Sequence, residues 1–225
     1  LSYWYKDASG KVMLSPRFGA SFPFSDQGVI HFSYGHFFQI PKFELLYHNS
    51  DFDLGQGTGN VGYVGNADLD PEKTISYELG FKYQPSPYMV LDATFYCRDI
   101  RDLTGTRSDE ISMFGGASTY SKYENSDFAF VKGLVLSVNY FSMDGLSSNI
   151  NYTIQQAKGT ASSPSQAWNA AQGGSIAETY MIPLDWDQLH TLSTILSYSK
   201  NNYGISLIGK IGSGLPYTPL SSTNI

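Results

Sequence analysis

Charge is scarce in this chain. Lys, Arg, Asp and Glu make up 15% of the 225 residues, against about 25% in an ordinary globular domain. The formal net charge is −6, and no cluster of Lys and Arg is present to track phosphates, which argues against a nucleic-acid partner. Cysteine occurs once, at Cys97. A single thiol excludes an internal disulfide and a zinc cage built from several thiolates, so Cys97 reads as a small apolar residue in a strand. No apolar run reaches the roughly 18 residues of a membrane-spanning helix. The opening stretch, LSYWYKDASG, lacks the basic start and apolar region of a secretory signal. None of this speaks against a membrane, because barrel strands of about 9–11 alternating residues escape hydropathy windows.

Aromatic residues and glycine are plentiful: aromatics reach 15%, with 17 Tyr, 14 Phe and 22 Gly. The apolar residues recur with period two, the signature of β-strands, whose successive side chains point to opposite faces. Ile75, Tyr77, Leu79, Phe81 and Tyr83 share one parity, and Thr74, Ser76, Glu78, Gly80 and Lys82 the other. The same alternation predicts strands in SPRFGASFPF, VIHFSYGHFF, 88–99, YENSDFAFVKGLVLSVNYF, SNINYTIQQ, DQLHTLSTILSYS and YGISLIGKIG. DQLHTLSTILSYS is the weakest, with Leu189 and Ile195 off the stripe of Leu192, Leu196 and Tyr198. Eight strands result. Tight turns at 25–28, 84–87, 142–145 and 200–202 alternate with long loops at 39–73, 101–119 and 157–186. PKFELLY, opened by Pro41, suits a short helix in the first loop.

Short turns at one end and long loops at the other are the layout of an outer-membrane β-barrel. Strands near ten residues suit a tilted crossing of the apolar band, whereas sandwich strands usually run about 5–6 residues. Tyr34, Phe37, Phe38, Tyr77, Tyr83, Tyr88, Tyr140, Phe141, Tyr198 and Tyr203 crowd strand ends, as aromatic girdles do at a membrane interface. Arg17, Glu78, Lys82, Asp92, Arg98, Asn149, Asn151 and Lys210 fall on the opposite parity and are the candidates for a wet lumen. Lys132 interrupts the apolar stripe of Phe128, Phe130, Leu134 and Leu136. Its place near the outer interface of a long strand would let it snorkel; a bulge at Gly133 is the alternative.

Several stretches, LSPRFGASFPFSDQGVIHFSYGHFFQIP, GNADLDPEKTISYELGFKY, YENSDFAFVKGLVLSV, IPLDWDQLHTLSTILSYS and GSGLPYTP, resemble the barrel of TonB-dependent outer-membrane receptors, with a Bacteroidota-like flavour. The Asn-x-Asp-Leu-x-Pro-Glu-Lys-Thr block leading into a strand is the most specific. The resemblance implies an all-β, antiparallel up-and-down barrel of 22 strands, of which 1–225 would supply about eight as an internal fragment. The plug and the TonB-contact region would lie elsewhere, and the end at Asn224-Ile225 lacks the terminal aromatic of complete barrels. It further implies residence in the outer membrane of a Gram-negative bacterium and no enzymatic activity. The expected role is TonB-energised uptake of a scarce nutrient: a siderophore, cobalamin, glycan or peptide. Outer-membrane lipid, the TonB complex, the nutrient and a surface lipoprotein are the expected partners. Phe52, Tyr63, Phe114 and Trp168, on the three long loops, are candidates to stack on ligand or to pack the loops together. The competing readings are a complete eight-stranded barrel serving as anchor, adhesin or enzyme, and a soluble carbohydrate-binding β-sandwich.

Three tempting motifs are set aside. GTGNVG at 57–62 matches a dinucleotide pattern but leads into a strand, not the helix that would hold pyrophosphate. Asp68, Asp70 and Glu72 alternate without the full calcium-loop pattern. The sequon at Asn151 lies mid-strand. His31, His36, His48 and His190 are far apart in sequence. No cofactor, metal or catalytic residue is expected.

Overall fold

The computed structural model describes residues 9–49, 62–106, 111–113, 118–172 and 180–217. Eight long antiparallel strands form one sheet in strict chain order: β1 (Arg17–Ser25), β2 (Gly28–Gln39), β4 (Glu72–Ser86), β5 (Met89–Thr106), β7 (Ser118–Phe141), β8 (Leu146–Gly159), β10 (His190–Lys200) and β11 (Tyr203–Gly212). Three short strands flank this path: β3 (Tyr63–Val64) and β6 (Ile111–Met113) against β7, and β9 (Ile182–Pro183) against β8. Helix α1 (Phe43–Tyr47) sits in the first long connection, where PKFELLY predicts it, and α2 (Gln166–Gln172) in the third. Among the described residues no helix is long and apolar enough to cross a membrane.

Register carries the period-two pattern across every strand. One row runs Phe22, Ile30, Phe81, Ala93, Leu136, Tyr152, Leu192, Ile211. The next but one runs Ala20, Phe32, Leu79, Phe95, Leu134, Ile154. This face is not covered by a second layer of the described residues. Phe18, Leu79, Phe95 and Leu136 remain 59%, 54%, 49% and 40% exposed. A soluble sandwich would bury them. The eight strands do not close either: among the described residues β1 and β11 each pair on one side only. A complete eight-stranded barrel is therefore overturned along with the sandwich.

The turns stagger progressively. The register with β4 places the first turn opposite Gln84, yet β4 continues about three residues further before it turns. The next two steps are about two to three and one to two residues. That is roughly one residue per strand, the fixed shear that tilts strands in a closed barrel. With a rise of ~3.3 Å per residue and ~4.8 Å between strands, it gives a tilt of roughly 35–40°, within the range of outer-membrane barrels.

Two sequence expectations are corrected. The loop at 101–119 is largely strand: β5 continues to Thr106 and β7 begins at Ser118. This stretch carries no apolar alternation because the side chains it buries under the long connections are Thr104 and Thr106, with Ser121 and Tyr123 on β7, rather than aliphatic residues. The bulge considered at Gly133 lies elsewhere. Register is unbroken from Ala129 to Phe141, and the irregularities fall between Ile100 and Thr104. Lys132 therefore does lie on the apolar face. Gly133 has a different task. A Cβ there would meet the Tyr96 hydroxyl at 2.5 Å and the Ile154 carbonyl at 2.8 Å. Its bare backbone lets the Tyr96 ring lie across the strand and donate to Gln155 Oε1 at 2.7 Å.

Candidate ligand-binding site at the long-loop end

The second face of the sheet is hydrophilic. A row through its middle runs Val29, Lys82, Asp92, Ser137, Asn151, Ser193, Lys210. The eight residues singled out for a wet face, Arg17, Glu78, Lys82, Asp92, Arg98, Asn149, Asn151 and Lys210, all lie on it by register. Several of them are tied to neighbouring side chains. Glu78 accepts a hydrogen bond from Ser33 Oγ at 3.2 Å, and its second oxygen lies 4.0 Å from the Arg98 guanidinium. Arg98 also stands over the Tyr96 ring, and Arg17 over Phe37. Ser137 Oγ donates to Asn151 Oδ1 at 2.7 Å, and a ladder of amides links Asn151, Asn149 and Asn139.

Above this face the long connections fold onto one another. The first closes over the outer part of β7: Leu46 and Leu69 bury against Tyr123, with Leu45, Tyr47 and Tyr63 around them. Asn66 Nδ2 donates to the Tyr123 carbonyl at 2.9 Å, and Asn125 Nδ2 to the carbonyls of Asp70 and Asp102. The third connection folds Leu184 onto Tyr96, Ala129, Val131 and Ala157. The Leu184 N–H donates to the Ala157 carbonyl at 3.0 Å, and Asp187 accepts from the Ala157 N–H at 2.8 Å.

Between the first and third connections lies an open cleft of about 670 Å³. Lys42, Glu44, Glu72, Tyr63, Tyr123 and Trp186 are among the residues that line it. Burial pushes the Glu72 carboxyl above its ordinary range, against the pull of the Thr104 backbone N–H and Lys42. A smaller hollow beside it, also lined by Glu72, contains Asp127. Burial raises that carboxyl too, although Thr160 Oγ1 donates to it at 2.8 Å. Two carboxylates against one ammonium make the cleft a poor seat for a polyanion.

The loop aromatics separate into three groups. Phe52 and Phe114 lie outside the described residues. Tyr63 lines the cleft while stacking on His48, with ring centroids 4.9 Å apart, and tilting against Tyr123. Trp168 is buried, with its backbone N–H on Thr106 Oγ1, so in this conformation it packs the third connection against β5. Trp186, half exposed at the rim, is the aromatic that sequence reasoning passed over; it stood at the assumed boundary between loop and strand. Most of GTGNVG falls outside the described residues. Asp68 and Asp70 are engaged by Lys11, at 3.3 and 2.7 Å. Among the described residues no three metal-ligating side chains gather.

A single open sheet with an exposed aromatic and aliphatic face, a hydrogen-bonded polar face, barrel-like shear and all its long connections at one end defines a segment of outer-membrane barrel wall. The chain belongs to the TonB dependent receptor-like, beta-barrel family, whose model matches residues 3–224. That family consists of outer-membrane receptors and transporters, not enzymes. No curated protein matches the chain significantly. Similar solved structures include the siderophore receptor PirA from Pseudomonas aeruginosa, at 17% identity and a TM-score of 0.57, covering 88% of this chain and 30% of that one. A variant of the ferric enterobactin receptor PfeA from Pseudomonas aeruginosa, in complex with enterobactin, gives 17% and 0.60, with 87% and 27% covered. The outer membrane transporter YddB from Escherichia coli gives 14% and 0.60, with 82% and 26% covered. The chain thus spans less than a third of the length of these structures.

Proposed function

We propose that the chain is part of the barrel wall of a nutrient receptor that imports its ligand with energy relayed by TonB. The exposed apolar rows, one crossing all eight strands and the next six, carry this reading: they are solvated by acyl chains, and the polar face borders a hydrated lumen. Backbone groups cannot stay unpaired in lipid, where each costs several kcal/mol. The open edges of β1 and β11 therefore pair with further strands of a larger barrel, and residues 1–225 form one partial barrel domain. The eight hydrophilic residues from Arg17 to Lys210 face the plug and the ligand path.

The cleft at the long-loop end is the extracellular ligand-contact surface, since recognition groups sit on loops held by a rigid scaffold. Its lining, with Glu44 and Glu72 around Lys42 and with Tyr63, Tyr123 and Trp186, favours a hydroxyl- or amine-rich ligand such as a glycan or peptide. Such ligands stack on aromatic faces and donate to carboxylates. A triply anionic ferric catecholate is disfavoured on the same grounds. A surface lipoprotein that captures large ligands is compatible with so open a mouth.

The test is uptake by cells expressing the full-length receptor as their sole route. Uptake of an oligosaccharide or peptide is expected, abolished without TonB and reduced by Trp186→Ala or Glu44→Ala at unchanged surface abundance. Uptake that persists without TonB, or is indifferent to both substitutions, would refute the assignment.

A further inference from the structure

We propose a second binding site, on the outward face just beyond the apolar band: Lys73, Arg101, Lys132 and Lys158 hold the phosphorylated headgroup of an outer-leaflet lipid. This rests on the reading that the long-loop end faces the cell exterior. It involves neither the lumen nor the cleft.

The four cations belong to four neighbouring strands, β4, β5, β7 and β8, and all share the parity of the apolar rows. Lys73 lies opposite Arg101. Lys132 lies opposite Cys97 on one side and Gln156 on the other. Lys158 lies opposite Phe130, which in turn lies opposite Asp99. By register alone they occupy three different rows. The stagger of the turns brings them to one level. Counted from the nearest short turn, Lys132 stands about 12 residues up, Arg101 and Lys158 about 14, and Lys73 between 14 and 15. At roughly 2.6 Å of height per tilted residue the four fall within about 7 Å of one another. Four strands at ~4.8 Å spacing make the patch about 15 Å wide. That suits a headgroup carrying more than one phosphate.

The patch is short of protein counter-charge. Asp99 is the one carboxylate of this parity among these positions, and it is committed to Arg101 at 2.6 Å; Asp102, next in the chain, also acts on Arg101, so the unpaired cations are the three lysines. Glu72 has the opposite parity, paired with Gln39 on the polar face. Among the described residues Lys73, Lys132 and Lys158 form no ion pair. Tyr77 and His36 lie just below, and the exposed rings of Phe128 and Phe130 sit among and above the cations. Aromatics at a headgroup level with lysines reaching past them are what an interface rewards. Lysines turned towards lipid without protein partners are stabilised by anionic groups the lipid supplies.

The experiment uses the full-length receptor purified in detergent. Binding of a diphosphorylated glucosamine-disaccharide lipid is measured by native mass spectrometry, against the same lipid dephosphorylated and against inorganic phosphate. Wild type is expected to prefer the diphosphorylated lipid, with millimolar phosphate competing poorly. At roughly five-fold per cation, the triple variant Lys73→Gln, Lys132→Gln, Lys158→Gln is expected to bind about 100-fold more weakly. Lys82→Gln, on the opposite face, is expected to leave binding unchanged. If the triple variant does not fold, Lys132→Gln alone carries the test with a loss of about five-fold. Equal binding of the dephosphorylated lipid, or undiminished affinity in the lysine variants, overturns the site. Orientation is checked independently by labelling Ser163→Cys, in a Cys97→Ser background, on intact cells with an impermeant maleimide. No labelling overturns the orientation and the leaflet together; labelling with unaltered lipid affinity overturns the headgroup site alone.

Discussion

Adjacent residues on one strand should respond in opposite ways to the same substitution. Leu136 and Ser137 are consecutive on β7. Leu136 belongs to the apolar row between Ala93 and Tyr152, and Ser137 to the polar face between Asp92 and Asn151. Leu136 stands about eight residues above the turn that follows Phe141. At roughly 2.6 Å of height per tilted residue that is ~21 Å, about 10 Å above the level of Tyr83, Tyr140 and Tyr198 and so near the middle of an apolar band about 25 Å tall. An arginine at this depth costs about 2–4 kcal/mol, so Leu136→Arg should lower the unfolding free energy by at least that amount. Ser137→Arg places the same group in water. It forfeits the hydrogen bond from Ser137 Oγ to Asn151 Oδ1, 2.7 Å, for a loss of about 1 kcal/mol. The readout is the urea midpoint of the full-length receptor reconstituted in lipid, with the heat-modifiable fraction as a check on assembly. Equal costs, or a larger one at Ser137, would mean that the exposed face does not contact lipid.

Three further outcomes follow from the geometry. Gly133→Val should displace Tyr96 from the backbone it crosses and break its bond to Gln155, costing about 1–3 kcal/mol; an unchanged midpoint would refute the close approach. The Asp68 carboxyl is held down to about 2, first by hydrogen bonds from the Ser9 hydroxyl and N–H, then by Lys11. A depressed carboxylate lends stability that is present above its unfolded value near 3.9 and is lost as pH falls through the folded value. The clasp of Ser9 and Lys11 on Asp68 should therefore open near pH 2, and NMR titration of Asp68 in Ser9→Ala should show a higher pKa; an unmoved pKa would show that Ser9 is not the cause. Cys97, on the apolar face two residues nearer the turn than Asp99, should react with a lipid-soluble maleimide in intact cells and resist an impermeant one; equal reaction would place it in water.

Strand order, parity and the end that carries the long connections were legible because each is written in period two. Every apolar side chain from Phe22 to Ile211 in the central row must face the same solvent, so alternation alone groups them. The hydrophilic set was legible for the same reason: Arg17, Glu78 and Lys210 are far apart in sequence but share a parity that pairing preserves. The protruding ends of β5 and β7 were not legible. There the buried side chains are Thr104 and Thr106 rather than aliphatic residues, so no apolar alternation marks the strand, and 101–119 reads like loop although pairing continues through most of it. The cleft was not legible for a different reason. It forms where α1, the start of β4 and the segment near Ser162 converge, and nothing local to Lys42 or Trp186 encodes that meeting. Trp168 shows the converse: an aromatic in a polar loop resembles a ligand platform, yet here it fills the space between α2 and β5.

Shear turns these local readings into a statement about depth. Register by itself puts Lys132 beside Cys97 and leaves Lys73 two rows further out, which would scatter the outward cations across the bilayer. A tilted strand rises as the sheet is crossed, and the turn-by-turn stagger records how fast. Measured from the turns, Lys73, Arg101, Lys132 and Lys158 form a belt above the apolar rows, while Tyr83, Tyr140 and Tyr198 form another about four residues from theirs. The separation of roughly eight to ten tilted residues, ~20–25 Å, is the thickness of an outer-membrane apolar band. A soluble sheet has no reason to align charges and rings to the level of its turns. The lysine that interrupts the stripe in sequence therefore marks the upper boundary of the membrane, and the cations around it stand where lipid phosphates lie.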